Sequence, residues 1–345
     1  MSDEDLTLAL NAGSTSLRFA LFAGTPSCDR RLALGAVERV GRDGGRLWLR
    51  GDDGKLAREH SGSYPDHLAA AAAAFDALDA ASREAPRAVG HRILVGAGHH
   101  RAPERIDAKL LESIAHLANA PEPRHAPALS CVDAAWRRYP ESSQVACFDT
   151  AFHGSLPTMA RASSSLDSSP ITRSLGMHGL SYEYVLETLG KEELGRAIVA
   201  HLGATASMVA LRNGNLVDTA DFPSGAADSS SDMRSVLERR AKDERAGLAF
   251  EAFCYRARKA IGGLYTVLGG LDTLVFTGGI GEHAAPVRAR ICAGLEVLGV
   301  YVDRQQNRES NDVISPLDAP CIVRVVPTDE ELMIAQHAWR HRFQR

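Results

Sequence analysis

A chain of 345 residues is long enough for two domains with full cores. Its hydrophobic share of 45%, charged share of 24% and formal net charge of −4 are those of an ordinary soluble protein and leave no basic footprint for nucleic acid. The six cysteines (Cys28, Cys131, Cys147, Cys254, Cys292, Cys321) form no C-x-x-C pair, which argues against a zinc site or a disulfide framework and suits a reducing cytoplasm. The segment MSDEDLT lacks an apolar signal core and the alanine run 69–74 is too short to span a bilayer, so a cytoplasmic chain with no membrane partner is expected.

Residues 6–24, LTLALNAGSTSLRFALFAG, alternate apolar residues on either side of a small-residue turn, the pattern of a β-hairpin. Ser14, Thr15 and Ser16 beside Gly13 offer hydroxyls and N–H groups to an anion such as phosphate, with an ordinary tight turn as the alternative. Residues 9–24 align without a gap on residues 199–214, matching at Gly13/Gly203, Thr15/Thr205, Ala20/Ala210, Leu21/Leu211 and Gly24/Gly214. Strand, glycine turn and strand thus recur once in each half, as a duplicated ligand-binding domain requires.

Short strands are expected over 31–50, a polar loop over 51–63 and an alanine-rich helix over 67–82. Residues 88–98 read as a buried strand carrying His91 and Arg92. A guanidinium in an apolar run needs a carboxylate or an anionic ligand, so a buried ion pair and a ligand clamp both fit. Helices at 110–119 and 128–138 flank a proline-rich break that places His125 on a loop, and the strand 144–148 ends at Asp149. His178 sits between glycines at a helix start, where anions are favoured. The repeat hairpin occupies 198–216, an irregular run 218–232 leads to a helix N-cap, and a long helix spans 244–268. The strand 273–276 runs into T-G-G-I-G-E at 277–282 and a helix over 285–298, a nucleotide-type loop. A strand at 321–326 precedes an acidic helix start at 327–331.

Taken together, NAGSTSLRF, GHR at 90–92, FDTAFH at 148–153, GMHG at 176–179, HLG at 201–203, FTGGIGE at 276–282 and PTDEELMIA at 327–335 resemble the acetate kinase family of the acetate and sugar kinase, heat-shock chaperone and actin superfamily. The resemblance implies an α/β fold of duplicated RNase H-like, actin-like ATPase domains, mixed sheets flanked by helices. The first would comprise residues 1–148 plus 331–345 and the second 149–330. It further implies phosphoryl transfer between ATP and a short-chain carboxylate, giving ADP and an acyl phosphate with Mg²⁺, in a homodimer.

By motif, Asn11 and Glu330 correspond to magnesium positions, and Arg18 stands where the family has a phosphate-facing lysine. Arg92 would hold the substrate carboxylate beside His125, Asp149 would order magnesium water or Arg92, and His178 would stabilise the phosphoryl group in flight. His201, Gly203, Ala204, Thr205, Asp232, Met233, Arg234, Gly278, Gly279, Ile280, Gly281 and Glu282 would frame the nucleotide.

The chain departs from the family pattern in four places. H-L-G-N-G has become His201-Leu202-Gly203-Ala204-Thr205, H-N-P has become His125-Ala126-Pro127, and Tyr182 replaces a second histidine. The long segment carrying the catalytic arginine of M-G-T-R is absent after Asp218-Thr219. Three functions fit: an acetate or propionate kinase, a nucleotide-binding relative without turnover that senses or scaffolds, and a kinase for a larger carboxylate.

Overall fold

The computed structural model describes residues 5–24, 27–28, 30–81, 84–96, 100–118, 125–162, 176–222 and 233–342. The chain divides into two compact units, Met1–Phe152 with Asp329–Arg345, and His153–Thr328.

In the first unit eight strands form one mixed sheet: β1 (Leu6–Ala12), β2 (Ser16–Ala23), β3 (Arg31–Glu38), β4 (Gly45–Gly51), β5 (Leu56–Gly62), β6 (Ala88–Ile93), β7 (Glu104–Arg105) and β8 (Ser143–Phe148). Their order is β5-β4-β3-β2-β1-β6-β8-β7, with β1, β6 and β8 parallel and β1 to β5 an antiparallel meander. Leu8 and Leu10 of β1 pack in one core with Phe75 and Leu78 of the helix His67–Ala81 and with Ala134 and Ala135 of the helix Ala126–Arg138.

Although the hairpin pattern alternates, every residue of β1 is buried. The intervening side chains Thr7, Ala9 and Asn11 are small, and their face receives the C-terminal helix Glu330–His341, which packs on β1, β6 and β8. Gly90 shows how close that approach is: a Cβ there would lie 2.6 Å from Ile334 Cγ2.

The second unit holds a five-stranded sheet: β9 (Arg196–Leu202), β10 (Ala206–Arg212), β11 (Asn215–Phe222), β12 (Thr273–Thr277) and β13 (Ile322–Val325), in the order β11-β10-β9-β12-β13. Here β9, β12 and β13 are parallel, and β9, β10 and β11 antiparallel. That is the arrangement of β3-β2-β1-β6-β8, so the repeat seen in the sequence is a repeat of sheet topology. Each hairpin turn spans three residues, 13–15 and 203–205. The fold is a duplicated α/β architecture, with mixed sheets flanked by helices.

The helix Glu244–Leu268 covers this second sheet through Phe250, Phe253, Ala257, Ile261, Leu264 and Leu268, spaced three or four apart. Asp243 caps its start by accepting from the amides of Arg245 and Ala246, and Gly269, at φ 70°, ends it.

Three local readings need correction. Residues 51–63 are not all loop, because β5 pairs with β4 despite its polar sequence. The run 218–232 is not irregular at its start, since β11 continues to Phe222 along β10. In both, ladder pairing overrides a side-chain pattern that carries no strand signal. The T-G-G-I-G-E stretch winds into a short helix, Gly278–His283, and the next helix, Ala285–Cys292, ends six residues before Leu298. All six cysteines are buried free thiols. No helix among the described residues is long and apolar enough to cross a membrane.

Candidate functional site

In the first unit a polar cluster forms at the C-terminal ends of the parallel strands, the usual ligand position in such sheets. Asn11 lies near the end of β1, Arg92 near the end of β6, and Asp149 directly follows β8. Glu330 and Glu331 open the C-terminal helix, whose N-cap Asp329 accepts from Leu332 N and pairs with Arg31. Because side chains alternate along a strand, Asn11 and Arg92 share the face of that helix.

Arg92 Nη2 donates to Asp149 Oδ2 at 2.6 Å, and its Nη1 reaches Asn11 Oδ1 at 3.2 Å and Glu330 Oε2 at 3.5 Å. Asn11 Nδ2 donates to Glu330 Oε2 at 2.8 Å and to Glu331 Oε1 at 3.0 Å. The Asp149 side chain is 1% exposed and that of Arg92 12%. Burial alone would push the guanidinium down, but Asp149 and Glu330 outweigh it and Arg92 is held well above its ordinary range. Burial, followed by the neighbouring Glu330, raises the Glu331 carboxyl. Arg92 Nε has no hydrogen-bond partner and remains an available donor.

Three carboxylates and one amide oxygen around one guanidinium give an oxygen-rich, net acidic donor set, which is the chemistry Mg²⁺ takes. Among the described residues no three His, Cys, Asp or Glu side chains form a ready cage. Magnesium ordinarily needs only one or two carboxylates, with water and phosphate completing its shell, so the set fits the ion. Arg18 is exposed on β2 opposite Asn11, and His125 is buried at the N-cap of Ala126–Arg138.

The second unit carries a histidine pair. His178 is the N-cap of the helix Gly179–Leu189, in the left-handed region at φ 61° and ψ 31°, a strained setting typical of functional positions. Its ring stacks on that of His201, with centroids 3.9 Å apart. His178 Nδ1 lies 2.7 Å from Ser207 Oγ and Nε2 lies 2.9 Å from Thr205 Oγ1. Tyr182 places its hydroxyl 2.5 Å from Ser207 Oγ. His201 Nδ1 meets Ser181 Oγ, to which Thr328 Oγ1 donates, and Thr328 N donates to Glu282 Oε1.

The glycine loop borders the same pair. Gly278, at φ 76°, brings its backbone so near His201 that a Cβ would lie 2.9 Å from Nε2. Arg288, fully buried, donates to the carbonyls of Gly281 and Glu282 and to Asn307, tying the loop down. Gly279 and Ile280 lie in this helical turn, Gly203 and Ala204 in the β9–β10 turn. Met233 is buried at the start of the helix Met233–Arg239 beside exposed Arg234, and Asp232 lies outside the described residues.

Hydrogen bonds thus join Asn11, Arg92, Asp149 and Glu330 in one unit; in the other they join His178 to Thr205, and His201 to Glu282 through Ser181 and Thr328, with ring stacking linking the two histidines. Sequence reasoning missed Glu331, Ser181, Ser207, Thr328 and Arg288. Glu331 stands next to a chosen residue and Ser207 one turn of pleat from Thr205, whereas nothing in the sequence marks Arg288.

A family model described as "Acetokinase family" matches residues 6–221 and 224–336. This chain belongs to the acetokinase family. An acetate kinase of Streptomyces avermitilis is 36% identical over 96% of each chain, and one of Rhodopseudomonas palustris is 32% identical over 97% of this chain and 98% of its own. A propionate kinase from Francisella tularensis superposes with a TM-score of 0.85 at 28% identity, covering 98% of this chain and 100% of its own. The acetate kinase of Porphyromonas gingivalis gives 0.80 at 28%, covering 97% and 99%. The Streptomyces alignment runs over 394 positions, more than the 345 residues of this chain, so that relative carries residues with no counterpart here.

Proposed function

We propose that this chain transfers the γ-phosphoryl group of ATP to acetate or propionate, reversibly, giving ADP and the acyl phosphate. Besides family membership, the observation that carries this reading is the buried Arg92, bonded to Asp149 and Asn11 yet retaining an unfilled Nε donor. A guanidinium so fixed is suited to hold a planar carboxylate.

In the forward direction a carboxylate oxygen attacks the γ-phosphorus as the bond to the β–γ bridging oxygen breaks, and ADP leaves with the electron pair. A short-chain acid is already ionised at pH 7, so no base is required. Asp149 therefore serves to orient Arg92. His178 stabilises the phosphoryl group in flight, where charge accumulates in the transition state. Gly203 to Thr205, Gly278 to Glu282, Asp232, Met233, Arg234 and Arg18 frame the nucleotide. Asn11 and Glu330, with Asp149 beside them, would hold Mg²⁺, which when bound neutralises phosphate charge.

We read the two compact units, with Asp149 and Glu330 both in the first, as the two domains, in a cytoplasmic homodimer. His125 lines the acyl side in this reading.

One observation favours a second reading, a nucleotide-binding relative without turnover: the family match breaks between residues 221 and 224. By the resemblance, the segment with the family's M-G-T-R arginine would belong near this break, and losing such a group would cost roughly 10³ to 10⁵ in rate. A hydroxamate assay with ATP, Mg²⁺ and acetate, propionate or butyrate separates the two. Product that vanishes in Arg92→Ala and His178→Ala supports the kinase. Calorimetric ATP binding with no product from any acid overturns it in favour of the second reading.

A further inference from the structure

The surroundings of His178 differ sharply between its two nitrogens. Nδ1 is closed off: Ser207 Oγ lies 2.7 Å away, is itself fully buried, donates to Met177 O and sits against the buried Tyr182 hydroxyl. The His201 ring covers one face of the imidazole. The hydrogen bond at Nε2 is only partly buried, because the atom 2.9 Å away is the hydroxyl of Thr205, an exposed residue, whereas His178 is only 5% exposed. An anion approaching Nε2 therefore meets the Thr205 hydroxyl at the same point.

We propose that Thr205 positions His178 through its hydroxyl and that this hydroxyl is itself a ligand of the transferred phosphoryl group. The inference deepens the kinase reading and rests on it for the identity of the ligand. Three features support it. The Gly203 amide donates to Thr205 O at 3.0 Å, so a closed three-residue turn presents the side chain. Threonine is β-branched and stiff about χ1, which keeps Oγ1 aimed. A hydroxyl both accepts and donates, so Oγ1 accepts from the imidazole N–H while giving its own proton as a hydrogen bond to a phosphoryl oxygen, with no proton transferred.

The test uses the full chain with Thr205→Val, which keeps the shape and removes the hydroxyl, and Thr205→Ser, which keeps the hydroxyl. Imidazole ¹⁵N spectra, with His178 assigned by its absence in His178→Ala, are recorded before and after ATP with Mg²⁺. Thr205→Val is expected to shift the His178 Nε2 signal and abolish its response to ATP, and Thr205→Ser to restore both. In turnover, Thr205→Val should lower kcat/KM about tenfold, Thr205→Ser should stay within about twofold, and the Thr205→Val effect should be smaller in a His178→Ala background. An unchanged Nε2 signal with an intact ATP response in Thr205→Val overturns the proposal, as does an undiminished effect in the His178→Ala background. Absent turnover in the unsubstituted chain would sink the kinase reading alone, because the spectra still decide the role of Thr205.

Discussion

His178 and His201 lie ring on ring, their planes 8° from parallel and their centroids 3.9 Å apart. His201 is anchored by Ser181, so it acts as a fixed platform for the His178 ring. His178→Ala should lower kcat by about 10² to 10³, the usual cost of one transition-state donor. His201→Ala, acting only through orientation, should cost about tenfold. Both should bind ATP by calorimetry within a few fold of the unsubstituted chain.

The Arg92–Asp149 pair should dominate local stability. Arg92→Ala leaves the buried Asp149 carboxylate without its partner, which costs about 3–5 kcal/mol. Arg92→Ala combined with Asp149→Ala should be less destabilised than the sum of the single variants. Urea unfolding of all four chains measures the coupling.

Acid sensitivity should pass through His91. Burial pushes this imidazole down to about 4, partly offset by the hydrogen bond to Gln144 at 2.7 Å. The folded state therefore binds fewer protons than the unfolded one. The resulting stability is fully present above about pH 6.5 and is lost as pH falls toward 4, roughly 2 kcal/mol of it by pH 5. Denaturant unfolding at pH 7 and pH 5 should show a difference between the native chain and His91→Leu that shrinks by this amount.

Gly278 combines a positive φ with close packing. Gly278→Ala would set a Cβ against His201 Nε2 and Leu202 O, both 2.9 Å away. We expect a loss of about 2–3 kcal/mol and a raised KM for ATP, seen by thermal unfolding and steady-state kinetics.

What the sequence discloses follows physical rules. The two hairpins are legible because apolar runs flank small-residue turns, and the helix Glu244–Leu268 because its apolar spacing, acidic cap and terminal glycine agree. Strand β5 is not, since it lies at a sheet edge with Leu56 to Ser61 all exposed and is held by backbone pairing; β11, also an edge strand, packs Val217 and Ala220 on the core three residues apart, a spacing that does not read as a strand. Asn11, Arg92, Asp149 and Glu330 stand out singly, as polar groups where apolar ones are expected or in an acidic helix start. Their bonds to one another, across sequence separations as large as 319 residues, become visible only in the fold. Arg288 is the opposite case: an arginine in a polar helix reads as solvated, yet it is fully enclosed among carbonyls.

The border strand β5 has a consequence for behaviour at high concentration. Leu56 to Ser61 are all exposed at the end of an eight-stranded sheet, where open N–H and C=O groups invite a strand from another molecule. Arg58, Glu59 and His60 place charged and polar groups on both faces of the pleat, and Glu59 is paired with Arg46 at 2.7 Å. A second copy docking there would have to strip water from these groups. The polar composition that hides this strand from pattern reading thus keeps the sheet from growing into fibres.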